Sequence, residues 1–164
     1  MSGGPGVSGP VRVGVIGDTH GTLQGSALDA LAGVDAILHT GDLGAGTVLD
    51  ELEAVAPVTL VRGNMDASGP GARAPLAANV AFGGVRFLVA HRERDLGGSL
   101  DPVRAGARVA VSGHTHVASV GERNGVLWVN PGSPSGPRQG SPATVAIVTV
   151  AADGSVSAEI VPLP

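Results

Sequence analysis

The chain has 164 residues, 43% of them hydrophobic, which suits one domain with one substantial core. Its formal net charge of −4 leaves no broad basic surface for the phosphates of a long nucleic acid, so a partner of that kind is not expected. The absence of cysteine excludes disulfides, thiolate ligands and a cysteine nucleophile, so any bound metal must be held by oxygen and imidazole ligands.

Residues 1–10 are rich in Gly, Ser and Pro, which predicts a flexible N-terminal tail ahead of a single domain at residues 11–164. The tail has neither the basic region nor the apolar region of a secretion signal. No apolar run in the chain approaches the length of a membrane span. We therefore expect a cytoplasmic protein that does not contact a membrane.

Strand and helix patterns alternate in the first part of the chain. The predicted strands are Val11–Ile16, Ala36–His39 and Val58–Val61. Apolar residues at helical spacing predict helices along Leu23–Leu31 and Val48–Val55, the second of them with Thr47 as its N-cap. This alternation is typical of βαβ units that build a parallel sheet.

Short strands joined by glycine turns dominate the rest of the chain, after a predicted loop at Ala67–Pro75. The predicted strands are Val80–Phe82, Val85–Ala90, Arg108–Val111, Val117–Gly121, Val126–Val129, Ala143–Val150 and Ser155–Val161. One weak helix is predicted at Leu100–Ala105. Turns at residues 83–84, 123–125 and 153–154 suggest hairpins, so we expect a mixed or two-sheet sandwich with helices outside.

Polar side chains with metal-binding chemistry follow five of the predicted strands. They are Asp18, His20, Asp42, Asn64, Asp66, His91, His114 and His116. The loops at the carboxyl ends of parallel strands converge, so these residues are expected to meet at one site. Alternate residues of an extended chain point the same way, so Asp18 and His20 can address one site, as can His114 and His116.

Carboxylate, carboxamide and imidazole groups together suit divalent ions such as Mn²⁺, Fe²⁺, Zn²⁺ or Ni²⁺. Apart from Asp66, the set contains seven candidate ligands, more than a single zinc ion usually takes. It fits two metals that share a bridging carboxylate. Such a pair can clamp a phosphoryl oxygen and provide a hydroxide nucleophile at neutral pH.

Five short motifs, in this order, resemble those of the calcineurin-like metallophosphoesterases: GDTHG (17–21), GDL (41–43), GNMD (63–66), a single His91 and GHTH (113–116). The segment NPGSPSGPR (130–138) resembles the small bacterial and archaeal phosphodiesterase subgroup, which is related to the retromer scaffold subunit. The resemblance extends from Val11 to Val161. It implies an α/β fold: a four-layer αββα sandwich of two mixed β-sheets flanked by helices.

The resemblance also implies how the site is composed. One metal would be held by Asp18, His20, Asp42 and His116, and the other by Asp42, Asn64, His91 and His114. The residues expected to take part in catalysis are Asp42, Asn64, Asp66 and His114. The two ions are expected to be Mn²⁺, with Ni²⁺, Fe²⁺, Zn²⁺ and Mg²⁺ as alternatives. A water or hydroxide between them would attack the phosphorus of a small phosphate ester, most naturally a diester, in line with the leaving alkoxide.

Two positions depart from the family pattern. Met65 stands where many members have a histidine that protonates the leaving group or holds the phosphate, and a thioether cannot donate a proton. Asp66 could orient a neighbouring group instead. The subgroup commonly has His-Gly-His where this chain has His91, Arg92 and Glu93. Arg92 could contact a substrate phosphate bidentately, and Arg138 is a second candidate for a substrate contact.

Simpler interpretations exist for each residue taken alone: Asp42 as a capping turn residue, Asn64 as a plain loop residue, His91 as a surface histidine. His39 is expected to support the site rather than to bind metal. The joint pattern favours an enzyme. Two alternatives stay open: a scaffold or interaction protein of the same fold, suggested by Met65 and the HRER segment, and a metal-dependent nucleotide-binding regulator. Assembly into a homo-oligomer is also left open.

Overall fold

The computed structural model describes residues 9–136 and 140–164, and two five-stranded β-sheets dominate this part of the chain. Its strands are β1 (Val11–Ile16), β2 (Ala36–His39), β3 (Val58–Leu60), β4 (Ala77–Phe82), β5 (Val85–Ala90), β6 (Val109–Val111), β7 (Ser119–Arg123), β8 (Val126–Asn130), β9 (Thr144–Val150) and β10 (Val156–Pro162). Its helices are α1 (Gly25–Ala30), α2 (Gly46–Glu53) and α3 (Gly69–Arg73), with 3₁₀ turns at Glu93–Asp95 and Gly98–Leu100.

The first sheet has the strand order β10-β9-β1-β2-β3. Strands β1, β2 and β3 run parallel, while β9 is antiparallel to both β1 and β10. A helix connects β1 to β2 and another connects β2 to β3, as the alternation of strand and helix patterns predicts. The carboxyl ends of β1, β2 and β3 therefore lie together at one edge.

The second sheet has the order β4-β5-β6-β8-β7, with β5, β6 and β8 parallel and hairpins at both edges. The predicted turns are confirmed as hairpin turns. Gly83 and Gly84 both have positive φ angles, and so do Asn124 and Gly125, which gives the twist that favours two-residue hairpins. Both sheets are mixed, and the predicted α/β class is confirmed.

Apolar residues fill three interfaces. A valine-rich cluster lies between the sheets, a second cluster lies between the first sheet and α1 and α2, and a third covers the outer face of the second sheet. Leu96 and Ala107 pack in the third cluster, so the outer layer there consists of 3₁₀ turns and loop. Burial on both faces explains why the parallel strands are continuous apolar runs.

Some local predictions were wrong. Thr47 is not an N-cap, because α2 begins at Gly46 and the extended Ala45 occupies the cap position. The predicted loop at Ala67–Pro75 contains α3, which has a proline in its first turn, where the missing N–H costs nothing. The predicted helix at Leu100–Ala105 is absent from the described structure, because Asp101 precedes a proline and adopts an extended ψ of 125°.

Strand bounds shifted by a few residues in places: β7 begins at Ser119 instead of Val117, and β4 begins at Ala77 instead of Val80. Most of the predicted tail, residues 1–8, lies outside the described residues. Within the described residues, no helix is long and apolar enough to cross a membrane.

Candidate metal centre

All seven predicted ligands meet at the end of the sandwich where parallel strands from both sheets finish. Asp18 and His20 follow β1, Asp42 follows β2 and Asn64 follows β3. From the second sheet, His91 follows β5, and His114 and His116 follow β6. The topology therefore delivers ligands from five strand ends to one place, as expected for ligand sites in sheets with parallel strands.

Two glycines allow the ligand loops to approach one another closely. A Cβ atom on Gly17 would lie 1.7 Å from the Thr40 hydroxyl oxygen, and one on Gly113 would lie 2.3 Å from the same atom. A larger residue at position 17 would push the loops after β1 and β2 apart, and one at position 113 would push the loop after β6 away from both. The glycines that precede Asp18 and His114 in the motifs are therefore required by close approach.

The ligand loops hold a strained backbone. Within the described residues, six non-glycine residues have positive φ, and five of these are predicted ligands, with φ between 48° and 74°. The five are Asp18, His20, Asp42, His114 and His116. Such angles are uncommon outside glycine and cost free energy, and they persist where function requires a particular side-chain direction.

The first group of side chains consists of Asp18, His20 and His116, whose ligating atoms all lie within 4.8 Å of one another. The Oδ1 atom of Asp18 is 3.5 Å from Nε2 of His116 and 4.0 Å from Nε2 of His20. The two Nε2 atoms are 3.3 Å apart. Asp18 is fully buried, whereas 37% of the His20 side chain is exposed, so this group opens to solvent on the His20 side.

The second group consists of Asp42, His91 and His114, again within 4.8 Å of one another. Asn64 joins it: its Oδ1 atom lies 2.8 Å from Nε2 of His91 and 3.1 Å from Nδ1 of His114. Asp42 lies between the two groups, because its Oδ2 atom is 3.3 Å from Nε2 of His91 and 3.8 Å from Nε2 of His20. This is the position that a bridging carboxylate needs.

Backbone carbonyls orient two of the imidazoles. Nδ1 of His91 lies 2.8 Å from the Thr40 carbonyl oxygen, and Nδ1 of His116 lies against the Gly136 carbonyl oxygen. A carbonyl oxygen only accepts hydrogen bonds, so each Nδ1 carries the proton. When such a ring is neutral, its lone pair is on Nε2, which faces the site, as is usual for metal-binding histidines.

The donor set fits divalent cations. Oδ1 of Asp18 is buried and has no hydrogen-bond partner in the described structure. Burial raises the pKa of Asp18 above its ordinary value, because the carboxylate is removed from water. A buried carboxylate oxygen surrounded by inward-facing ring lone pairs is costly without a positive charge. A cation between these atoms would remove that cost, so the residues present suit a metal.

The carboxylate of Asp66 binds backbone N–H groups, which is not the arrangement expected of a catalytic residue. Its Oδ2 atom accepts the N–H groups of Gly63 at 2.7 Å and Asp42 at 3.0 Å, and its Oδ1 atom accepts that of Leu43 at 3.0 Å. The carboxylate is buried, and both of its oxygens accept backbone N–H groups. Of the two roles considered for Asp66, its contacts favour orienting a neighbouring group, here the loop that carries Asp42.

The loop after β8 supports the ligand loops from outside. Ser133 donates its hydroxyl to the carbonyl oxygen of Asp18, and Ser135 donates to that of Thr19, both at 2.9 Å. Asn130 donates its amide to the Gly113 carbonyl oxygen at 3.1 Å. The individual contacts could not be predicted, because they join residues far apart in the chain.

His39, the last residue of β2, forms its hydrogen bonds with Thr19 and Gly41, and within the described residues it has none to a candidate ligand side chain. Its Nδ1 atom accepts the Gly41 N–H at 3.0 Å, so its proton is on Nε2, 3.1 Å from the Thr19 hydroxyl. The hydroxyl in turn donates to the Leu43 carbonyl oxygen at 2.8 Å. Complete burial lowers the pKa of His39 to about 4. It is a neutral supporting residue, as predicted.

The positions that depart from the family pattern lie at the rim. Met65 is 65% exposed, and its N–H donates to Oδ1 of Asp42 at 2.8 Å. Arg92 is half-buried and lines two hollows beside the site. Glu93 forms an ion pair with Arg123 of β7 at 3.2 Å, in which both side chains are more than half exposed. Arg138 lies outside the described residues.

Comparison with known proteins supports a functional interpretation of this centre. The model of the calcineurin-like phosphoesterase superfamily domain matches residues 11–153. A protein of Methanothermobacter thermautotrophicus, described as a probable metallophosphoesterase, is 35% identical over 145 residues, which cover 82% of this chain and 84% of that protein. The family match therefore spans every candidate ligand, and the similarity to this relative covers most of both chains.

Solved structures share the fold. Vacuolar protein sorting 29 from Cryptosporidium parvum superposes with a TM-score of 0.75 at 23% identity, over 93% of this chain and 97% of the other. A structure described as a novel archaeal phosphodiesterase has a TM-score of 0.74 at 22% identity, over 92% of this chain and all of the other (100%). At these identities the likeness concerns the fold.

Proposed function

Because this chain belongs to the calcineurin-like phosphoesterase superfamily, we propose that it is a phosphodiesterase that uses two divalent metal ions. The observation that carries the proposal is the position of Asp42. Its Oδ2 atom lies within 4 Å of an imidazole nitrogen from each ligand group, at 3.3 Å from His91 and 3.8 Å from His20. A single carboxylate oxygen facing both groups suits two ions that share one ligand.

Each group would hold one ion. The first ion would be bound by Asp18, His20, Asp42 and His116, and the second by Asp42, Asn64, His91 and His114. The mixture of carboxylate, carboxamide and imidazole favours Mn²⁺, with Ni²⁺, Fe²⁺, Zn²⁺ and Mg²⁺ as alternatives. When bound, such ions neutralise charge on phosphoryl oxygens and lower the pKa of a water molecule toward neutrality.

The chain's own residues position the reactants. The carbonyls of Thr40 and Gly136 hold the rings of His91 and His116 in the orientation that directs Nε2 inward. The exposed side of the centre, at His20 and Asn64, leaves room for a small phosphate ester to approach. Arg92 at the rim can donate two parallel hydrogen bonds to a phosphate.

Met65 limits the chemistry on the leaving-group side. It provides no proton to a departing alkoxide, and its side chain is mostly exposed. Substrates whose leaving group is stable as an anion need no such proton. The centre is therefore best suited to esters with good leaving groups, or to esters that carry their own acid.

The proposal is tested with protein freed of metal by a chelator and assayed on bis(4-nitrophenyl) phosphate, with Mn²⁺ added back. We expect no turnover before addition and metal-dependent release of 4-nitrophenolate after it. Metal analysis should give two ions per chain. A folded protein that binds two ions and hydrolyses none of a panel of diesters, monoesters and cyclic nucleotides would contradict the proposal and favour the scaffold alternative.

A further inference from the structure

Two hollows that share lining residues lie beside the second ligand group, and we call the pair the arginine hollow. Their volumes are about 260 and 300 Å³. Two candidate ligands, Asn64 and His91, form the side toward the metal centre, and the other lining residues are Arg62, Gly63, Leu76, Arg92, Asp95 and Leu100. The larger volume is at the lower end of the range for small-ligand sites, about 300–1,000 Å³.

Both arginines are placed there by the ligand loops. Arg62 follows β3 and lies two residues before Asn64, and Arg92 directly follows His91. The N–H of Arg62 donates to the Pro75 carbonyl oxygen at 2.8 Å, which brings the segment with Leu76 alongside. A ligand in the arginine hollow would therefore be in contact with residues adjacent to the reacting phosphate.

The charges of the arginine hollow are unbalanced. Within residues 9–136 and 140–164, neither guanidinium has a hydrogen bond or an ion pair. Asp95 lines the same hollow, so two positive charges face one negative charge. Unpaired guanidinium groups next to a phosphate-ester site provide donors for a second anionic group on the substrate.

Apolar surface accompanies these charges. Leu76 is 73% exposed and Leu100 is 37% exposed, and both line the hollows next to the arginines. Exposed leucines gain free energy when a ring system covers them, in proportion to the apolar area removed from water. The lining therefore matches an organic group that has both an apolar ring and a negative charge.

We propose that the arginine hollow binds one ester arm of the substrate, and that this arm carries an apolar ring system and a second anionic group, as in a nucleoside bisphosphate. Arg62 and Arg92 bind the second anionic group, and Leu76 and Leu100 pack against the ring. This inference rests on the proposed function, because it assumes that the adjacent centre holds the phosphodiester.

A binding experiment tests the arginine hollow without any hydrolysis. Thymidine 3′,5′-bisphosphate and thymidine 5′-phosphate, which differ in one phosphate, are titrated by calorimetry into protein kept metal-free with a chelator. We expect the bisphosphate to bind about tenfold more tightly, the effect of one charge-assisted contact. Arg62→Met and Arg92→Met should each remove most of this advantage. Arg108→Met, in a hollow elsewhere on the surface, should retain it.

Three results would overturn the inference: equal affinities of the two nucleotides for the unaltered protein, no measurable binding of the bisphosphate, or an unchanged ratio in both arginine variants. The contribution of the leucines is tested by Leu76→Ser. This variant should weaken both nucleotides alike, because both carry the same base, and an unchanged affinity would remove Leu76 from the proposal.

A turnover experiment separates this inference from the proposed function. The 4-nitrophenyl ester of thymidine 5′-phosphate is compared with the same ester carrying a 3′-phosphate, using the Mn²⁺-loaded protein. We expect kcat/KM to be about tenfold higher for the second substrate, through a lower KM. Tight bisphosphate binding without any turnover would contradict the phosphodiesterase proposal alone. Turnover with equal kcat/KM values would contradict the arginine hollow alone.

Discussion

The carboxylate of Asp66 accepts the backbone N–H of Asp42 at 3.0 Å, so the loop after β3 determines where the loop after β2 places its aspartate. The same oxygen accepts the N–H of Gly63 at 2.7 Å. One buried side chain thus fixes the relative position of two ligand loops. Partners that orient ligands in this way commonly change metal affinity when they are altered.

Asp66→Asn should weaken metal binding without removing a ligand. The amide retains one acceptor oxygen, while its NH₂ group faces backbone N–H donors and cannot accept from them. We expect Mn²⁺ affinity and activity to fall by about 10–100-fold, measured by titration and by diesterase assay. Asp50→Asn, the same change at an exposed position on α2, is the matched control. Equal Mn²⁺ affinity in the two variants would contradict the orienting role.

Asp42→Asn tests the shared ligand. The substitution keeps the shape of the side chain but removes the negative charge between the two groups. We expect fewer than two ions per chain and a loss of activity of at least about a hundredfold, since a metal contributes several kcal/mol to the transition state. Mass spectrometry under native conditions counts the ions. Retention of two ions at full occupancy would show that Asp42 does not bridge.

Ser133→Ala tests the loop after β8. The Ser133 hydroxyl donates to the Asp18 carbonyl oxygen at 2.9 Å and accepts the Gly136 N–H at 2.8 Å. Its loss removes both bonds and leaves the buried Asp18 carbonyl oxygen with only the long 3.5 Å contact from the Ser135 hydroxyl, so the free energy of unfolding should fall by about 1–3 kcal/mol. Denaturant unfolding measures the change. Ser157→Ala, at an exposed position on β10, is the control. Equal stability of the two variants would show that the Ser133 hydroxyl does not stabilise the loop after β1.

His39 should make the fold sensitive to mild acid. Burial lowers its pKa from 6.5 to about 4. As the pH falls below 6.5, His39 therefore binds a proton in the unfolded chain but stays neutral in the folded chain. The free energy of unfolding should decrease by about 3 kcal/mol between pH 6.5 and 4 from this residue, with no further loss below pH 4.

The comparison with His39→Asn isolates this effect from other titrating groups. Asparagine provides an oxygen near the position of Nδ1, which can accept the Gly41 N–H, and it does not titrate. Chemical unfolding of both proteins is measured from pH 7.5 to 4 with a chelator present. The variant should have the shallower dependence on pH. Parallel curves would show that His39 does not carry the dependence.

Met65→His should change how the rate depends on the leaving group. With methionine at this position, turnover of aryl diesters should fall steeply as the pKa of the departing phenol rises. A histidine at the rim could protonate the leaving oxygen, which contributes about a hundredfold or more for poor leaving groups. The slope of log kcat against phenol pKa should become flatter. Met65→Leu should keep the original slope. Identical slopes for the two variants would show that a histidine at position 65 does not protonate the leaving oxygen.

The strand ends and their ligands could be predicted from local patterns. Apolar β-branched runs mark buried strands, and Asp18, Asp42 and His91 each directly or closely follow such a run. The convergence of these positions then follows from the rule that the carboxyl ends of parallel strands share one edge. No distant contact has to be known for this step.

The supporting contacts could not be predicted in the same way. Thr40 acts through its carbonyl oxygen, which every residue possesses, and its partner His91 lies 51 positions along the chain. Asp66 uses backbone donors from two different loops. The prediction of β7 at Val117 failed for a related reason: the chain is still leaving the turn that contains His116, where φ is 62°.

Each candidate ligand group draws its side chains from both sheets. Asp18 and His20 come from the first sheet and His116 from the second, while Asp42 and Asn64 face His91 and His114. In a chain without cysteine, ions bound there would act as reversible cross-links between the two halves of the sandwich. Ion loading would then slow hydrogen exchange in β1 and β6 together, and the protein's resistance to heat would follow the free-metal concentration of its surroundings.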